Sequence, residues 1–215
     1  MTRLLLTLPE HDDTTFYCTK WSEEILLPAA DENQLHTIVL KKERANKKNL
    51  ESIVAEKKPK LIFFNGHGGS GEIRGHDDEV LIKVGENEHL LTETIVHALS
   101  CSSASMLGPK SVEKGATAYA GYENDFFFFS DTNKSARPLQ DEIAKPFFDA
   151  SLTLPQNLIN GKTVREAFIK SQQSYDFWIL YYRTHGELLE SPQNLLALMW
   201  DKMSQTFHGD KEATI

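Results

Sequence analysis

The feature that most constrains this chain is a series of short, densely apolar runs separated by stretches with helical spacing. Leu4 to Leu8, His36 to Leu40, Lys60 to Asn65, Thr94 to Ser100 and Ala116 to Tyr122 each have the length of a strand. Their apolar residues are largely consecutive rather than alternating, the pattern of strands covered on both faces. Phe16 to Leu27 and Asn46 to Glu56 fill the gaps between the first three runs with helical spacing, and Leu50, Ile53 and Val54 share one face of the second. Asp12-Asp13-Thr14-Thr15 supplies capping side chains ahead of the first. Strand–helix–strand units in succession predict a mostly parallel sheet between two layers of helices, a three-layer α/β/α sandwich.

Two of these strand ends carry chemistry. Leu61 to Asn65 runs into Gly66-His67-Gly68-Gly69, and Thr94 to Ser100 runs into Cys101-Ser102-Ser103. Parallel strands deliver the residues after their carboxyl ends to one edge of the sheet. His67 and Cys101 are therefore expected to meet there as base and nucleophile. Ser102 to Lys114 is expected to be a helix, kinked near Pro109, whose N-terminus would lend Cys101 thiolate character. The N–H groups of Gly68 and Cys101 are candidates for an oxyanion hole. His97 and Ser100 precede the cysteine, and strand alternation gives them structural roles.

The remaining segments are less patterned. Gly68 to Gly71 is too glycine-rich for regular structure, and Val80 to Val84 with Glu88 to Leu91 is read as a small hairpin. Asn124 to Pro138, which contains Phe126 to Phe129, is expected to be a long loop. Leu139 to Ser151 and Thr163 to Tyr182 have helical periodicity. A further segment starts at Ser191-Pro192, with Leu195 to Trp200 readable as helix or strand. No repeat or linker divides the chain, so residues 1–215 are expected to form a single domain.

Composition narrows the function classes. A net charge of −8 without a basic stripe argues against nucleic-acid binding. Lys41 to Lys48, with Lys57, Lys58 and Lys60, is read as the solvated face of a helix. Only Cys18 and Cys101 are present, which suits a reducing compartment, and no apolar stretch has the length of a membrane span. A cytoplasmic location is the expectation. A serine hydrolase would need a Gly-x-Ser-x-Gly turn that the Cys101 region lacks. The Gly161-Lys162-Thr163 segment lacks the earlier glycine and the preceding strand of a P-loop. A metal-dependent hydrolase would draw on His67, His76, Asp77 and Asp78, but a separation of nine residues between the histidines fits no helical zinc motif. No metal site and no cofactor are expected.

An apolar strand ending in His-Gly, followed by a second ending in Cys beside a small residue, resembles the signature of the caspase-like cysteine peptidases. The matching residues are Leu61 to Phe64 before His67-Gly68, and Ile95 to Ser100 before Cys101-Ser102. Gly115 to Tyr122 and Phe207-His208-Gly209-Asp210 are similar to segments of the gingipain-like and CHAT-like branches. The chain departs from caspases proper: Leu99-Ser100-Cys101-Ser102-Ser103 stands in place of Gln-Ala-Cys-x-Gly, and His67 lies closer to Cys101 than the roughly 50 residues of caspases. The resemblance implies a caspase-like fold and cleavage of peptide bonds in a protein or peptide substrate through a thioester on Cys101. His67 would be the acid and base, and Gly68 and Cys101 the oxyanion donors. It also implies a P1 pocket drawn from Glu10 to Thr15, His97 to Ser100 and Glu123 to Arg137. Asp12, Asp13, Glu123 and Asp125, with Ser100, would then favour a basic P1 residue. With no sensor domain evident, activation would fall to a regulatory protein partner. A non-catalytic interaction module with the same fold is the alternative, and a metal-dependent hydrolase ranks behind it.

Overall fold

The computed structural model describes residues 3–185 and 192–215. Residue 191, one half of the Ser-Pro segment start, lies outside them. The main sheet contains β1 (Arg3–Leu8), β2 (His36–Lys41), β3 (Leu61–Asn65), β7 (Ile95–Leu99), β8 (Ala118–Tyr122) and β9 (Gln205–Gly209). A small second sheet is built from β4 (Gly68–Gly69), β5 (Glu72–Arg74) and β6 (Val80–Lys83). The helices are α1 (Asp13–Glu32), α2 (Lys47–Lys57), α3 (Leu107–Glu113), α4 (Lys145–Ile159), α5 (Val164–Thr184) and α6 (Pro192–Ser204).

The main sheet has the order β2-β1-β3-β7-β8-β9 and is parallel except for β9, which runs antiparallel to β8. Alternate residues of each central strand go to opposite faces. Leu4, Leu6, Leu8, Leu61, Phe63, Ile95 and Leu99 join α1, α4 and α5 in one core. Leu5, Ile62, Phe64, Val96 and Ala98 join α2, α3 and the small sheet in the other. With apolar partners on both faces, the continuous hydrophobic runs are accounted for. The three-layer α/β/α reading holds.

The departures from expectation are local. Gly68 and Gly69 do form a strand, pairing antiparallel with Ile73 and Glu72. The expected hairpin is absent: β6 pairs with β5, and Glu88–Leu91 is a single 3-10 turn. The helix expected from Ser102 begins only at Leu107. Pro109 falls in its first turn, where a missing N–H costs no hydrogen bond. Leu195 to Trp200 is helical, within α6. Lys41 ends β2 and Lys42 opens a short 3-10 turn, so neither lies on α2; with Lys20 they converge on the Glu10 carboxylate. Burial would raise that carboxyl, but the three ammonium groups outweigh it and hold it below the usual range.

The topology also says where a site should form. From β1 the chain first steps outward to β2, then returns to place β3 on the other side of β1. The loops after β1 and β3 therefore diverge, and ligands of open α/β sheets bind in the crevice at such a switch point.

Candidate active site

Three loops meet at this carboxyl edge: residues 9–12 after β1, 66–69 after β3, and 100–106 after β7. The first is fixed by the helix it opens. Asp12 is the N-cap of α1 and accepts from the Thr15 N–H at 2.7 Å, while the Thr15 hydroxyl takes part in a reciprocal capping box. Its second oxygen, Oδ2, lies 2.6 Å from Nε2 of His67. Burial would raise the Asp12 carboxyl, but the contacts with His67 and Thr15 overcome this and bring it down to about 2.

The second loop needs its glycines. Gly66 has φ 138°, and a side chain there would meet the Arg74 carbonyl at 2.6 Å. A side chain at Gly68 would overlap the Ser100 hydroxyl and approach the Glu72 carbonyl at 2.8 Å. The Arg74 N–H donates to the His67 carbonyl. Gly68 and Ile73 are thus the non-hydrogen-bonded pair of this ladder, and the Gly68 N–H points away from it. The Ser100 hydroxyl also donates to the His67 carbonyl, at 3.0 Å, tying the third loop to the second.

Cys101 follows β7 and is partly buried. The next residue, Ser102, is held at φ 55° by a tight turn, its hydroxyl donating to Asp125 at 2.7 Å. Left-handed backbone in a non-glycine residue is costly and clusters at functional sites. The turn keeps the chain from entering a helix at Cys101, so no helix N-terminus supports the thiolate. Burial instead pushes the Cys101 thiol up from its ordinary value, opposed in part by a hydrogen bond with the Phe126 backbone. Cys101 is a neutral thiol at rest, contrary to the sequence expectation. Iodoacetamide labelling of Cys101, followed by mass spectrometry of its peptide, is therefore expected to quicken with pH through a midpoint above 9.0. A rate already level at pH 7 would contradict this.

His67 and Cys101 line one small cavity of about 30 Å³, with Gly66, Ser100, Phe126 and Phe128 among its walls. Cys18, on the buried face of α1, also borders it, and burial raises its thiol far above the ordinary value. Next to it, a larger cavity of about 310 Å³ is lined by Asp13, Thr14, Tyr17, Phe128, Ser130 and Thr132, among others. Thr14 and Phe128 border both.

The other acidic candidates lie elsewhere. Asp125 is occupied by Ser102, and Glu123 is exposed and borders neither cavity. Asp12 is turned to the imidazole. His97 is wholly buried and stacks on Phe63 with an interplanar angle of 3°, and burial lowers it to about 3, so it is a neutral packing group. His76 sits at the end of the 9–12 loop, its Nδ1 accepting from the Glu10 N–H, and does not join His67, Asp77 and Asp78 in one cluster.

The phenylalanine run is partly core. Phe126 and Phe128 pack on Tyr122, Tyr17 and Phe148, while Phe127 and Phe129 are exposed. The Phe127 N–H donates to Asp201 Oδ1 at 3.0 Å. Asp201 is buried and its Oδ2 has no partner, so burial pushes its carboxyl well above the usual range. A group whose folded value is raised gives its full stabilisation below its ordinary value of 3.8 and loses it as pH rises toward the raised value. Asp201→Asn keeps an oxygen for Phe127 and removes the ionisation. Its melting temperature relative to the wild type is expected to climb as pH rises from 4 toward 8; a constant difference would contradict the assignment.

The sequence reading did not foresee the Asp12–His67 contact, although a capping acid directly after β1 was a usable signal. It gave no role to His11, which no local pattern marks.

Among solved structures, the Arg-specific cysteine proteinase gingipain R resembles the chain with a TM-score of 0.62 at 10% identity, over the whole of this chain and 47% of that one. The chain thus spans about half of that protein's length, and at such identity the likeness shows the fold alone. No family model matches the sequence, and no curated protein matches it.

Proposed function

We propose that this chain is a cysteine endopeptidase working through His67 and Cys101. One observation carries the reading: both side chains border the same cavity at the ends of adjacent parallel strands, and a carboxylate sits on the imidazole. Ionised Asp12 keeps the ring proton on Nε2, which leaves Nδ1 as the base. Nδ1 takes the thiol proton as sulfur attacks the scissile carbonyl, so the nucleophile need not be ionised beforehand. The Gly68 and Cys101 N–H groups receive the oxyanion. The intermediate collapses to a thioester as the imidazolium protonates the leaving amine. Water, deprotonated by Nδ1, then releases the acid and restores the thiol.

Asp13 is the formal charge bordering the larger cavity, which supports a Lys or Arg side chain at P1. The gingipain R structure is that of an Arg-specific enzyme, in line with this choice. The test is cleavage of a peptide library with each residue at P1, with Cys101→Ala as control. Cleavage after Lys or Arg that vanishes in Cys101→Ala is expected, with Asp13→Asn weakening the basic preference about tenfold. No Cys101-dependent cleavage would favour the interaction-module reading.

A further inference from the structure

A second set of groups surrounds the same imidazole and is not used by the peptidase chemistry. His11, just ahead of the cap, has a side chain only 11% exposed, and neither ring nitrogen reaches a hydrogen-bond partner. A buried imidazole orphaned at both nitrogens carries a desolvation cost that the protein leaves uncompensated. Its Nε2 lies 4.0 Å from Asp12 Oδ2 and 3.7 Å from Asp78 Oδ1. Asp12 Oδ2 is in turn 2.6 Å from His67 Nε2. One donor atom from each of His11, Asp12 and His67 falls within 4.8 Å of the others.

We propose that His11, Asp12 and His67 form a site for Zn²⁺, with the Asp78 carboxylate in reach as a fourth donor. Tetrahedral zinc with bonds of about 2.0–2.2 Å sets its donors roughly 3.3 Å apart. The two separations from Asp12 Oδ2, 2.6 and 4.0 Å, lie on either side of that value, and all three donor atoms fall within 4.8 Å of one another, so side-chain adjustment brings them to one ion. Two imidazoles and a carboxylate suit zinc far better than calcium or magnesium, which prefer all-oxygen shells. His76 is a wall and not a ligand: its Nδ1 is occupied by the Glu10 N–H, and its ring meets that of His11 edge-on at 5.3 Å.

The consequence for catalysis rests on the peptidase reading. Zinc on Nε2 displaces the proton that this nitrogen shares with Asp12. The neutral imidazole then carries its one proton on Nδ1, where it can no longer accept the proton of Cys101. The metal would stop the enzyme without touching the thiol. Site and dyad use the same histidine and exclude each other.

The experiment starts with Co²⁺ titration of the Cys101→Ser protein, followed by visible absorption. About one equivalent should give d–d bands of tetrahedral strength, with no thiolate charge-transfer band, and Zn²⁺ should bleach them. His11→Gln, with its unliganded melting curve compared to wild type, should weaken binding on the order of 100-fold or more, and Asp78→Asn less. In the wild type, Zn²⁺ should abolish peptide cleavage and a chelator restore it, while in His11→Gln the Zn²⁺ concentration that halves the variant's own metal-free rate should rise by about the factor by which its Co²⁺ affinity falls. No Co²⁺ spectrum in Cys101→Ser, or a spectrum unchanged by His11→Gln in a folded protein, overturns the site. Failure of the peptidase reading would silence the cleavage arm and leave the Co²⁺ spectra intact, so the two failures are distinguishable.

Discussion

Replacing Asp12 by asparagine is expected to lower kcat/KM on the order of 10³-fold and to leave the fold in place. Asparagine caps helices about as well as aspartate, so α1 keeps its N-terminus. The effect falls on the imidazole. Aspartate accepts the Nε2 proton of His67 at 2.6 Å, whereas the amide of asparagine can donate to Nε2 and hold the proton on Nδ1. In that tautomer Nδ1 carries the proton and cannot take one from Cys101. The analogous exchange of aspartate for asparagine in serine proteases costs about 10⁴-fold with unchanged geometry. Because Asp12 is a positioning residue, KM should move much less than kcat, and Asp12→Glu should recover part of the rate. Its stabilising contribution is present above the ordinary value of 3.8 and lost as pH falls through about 2. A Thr15→Ala protein, which loosens the cap, should therefore be destabilised by the same amount at pH 6 as at pH 8, because Asp12 stays ionised at both. Circular dichroism and steady-state kinetics on the three variants decide the matter; equal loss in a misfolded Asp12→Asn protein would remove the argument.

The second large effect is expected at Gly68. An alanine methyl there overlaps the Ser100 hydroxyl and comes within 2.8 Å of the Glu72 carbonyl. Ser100 is the link that holds the His67 carbonyl, so the clash pushes apart the two loops that carry the dyad. It also re-aims the Gly68 N–H, the proposed oxyanion donor. Loss of one such donor costs on the order of 10²–10³-fold in kcat. Gly68→Ala with Ser100→Gly relieves the side-chain overlap but not the contact with the Glu72 backbone, and should recover only part of the rate. Gly69→Ala is the control: a side chain there meets nothing within 4 Å, and activity should remain near that of the wild type. Full activity in Gly68→Ala would exclude this N–H from the chemistry.

The strand sequence of the sheet was legible because each central strand is covered on both faces and so reads as an uninterrupted apolar run. The reactive strand ends followed from the parallel order. What was not legible depended on contacts across the chain. Two-residue β4 is a strand only because β5 lies beside it, and its glycines carry no β signal of their own. The segment after Cys101 has helix-compatible composition, yet Ser102 N–H donates to Asn124 and Ala104 N–H to Tyr122, so the chain is drawn to the end of β8 before it can turn into α3. Asp12 was visible as an acid near the edge and was assigned to substrate. Its partner lies 55 residues away, a distance over which sequence pattern says nothing. The acidic candidates Glu123 and Asp125 were judged by charge alone, and Asp125 is taken up by Ser102 in the structure.

The central claim is that Cys101 is a nucleophile made competent by His67. It is tested most directly by intact-mass measurement after incubation with a peptidyl acyloxymethyl ketone carrying arginine at P1. The account expects a single peptidyl adduct, mapped to Cys101, formed with loss of the carboxylate leaving group and slowed at least about 100-fold in His67→Ala. An adduct on Cys18, or one on Cys101 that forms as fast without His67, would contradict it.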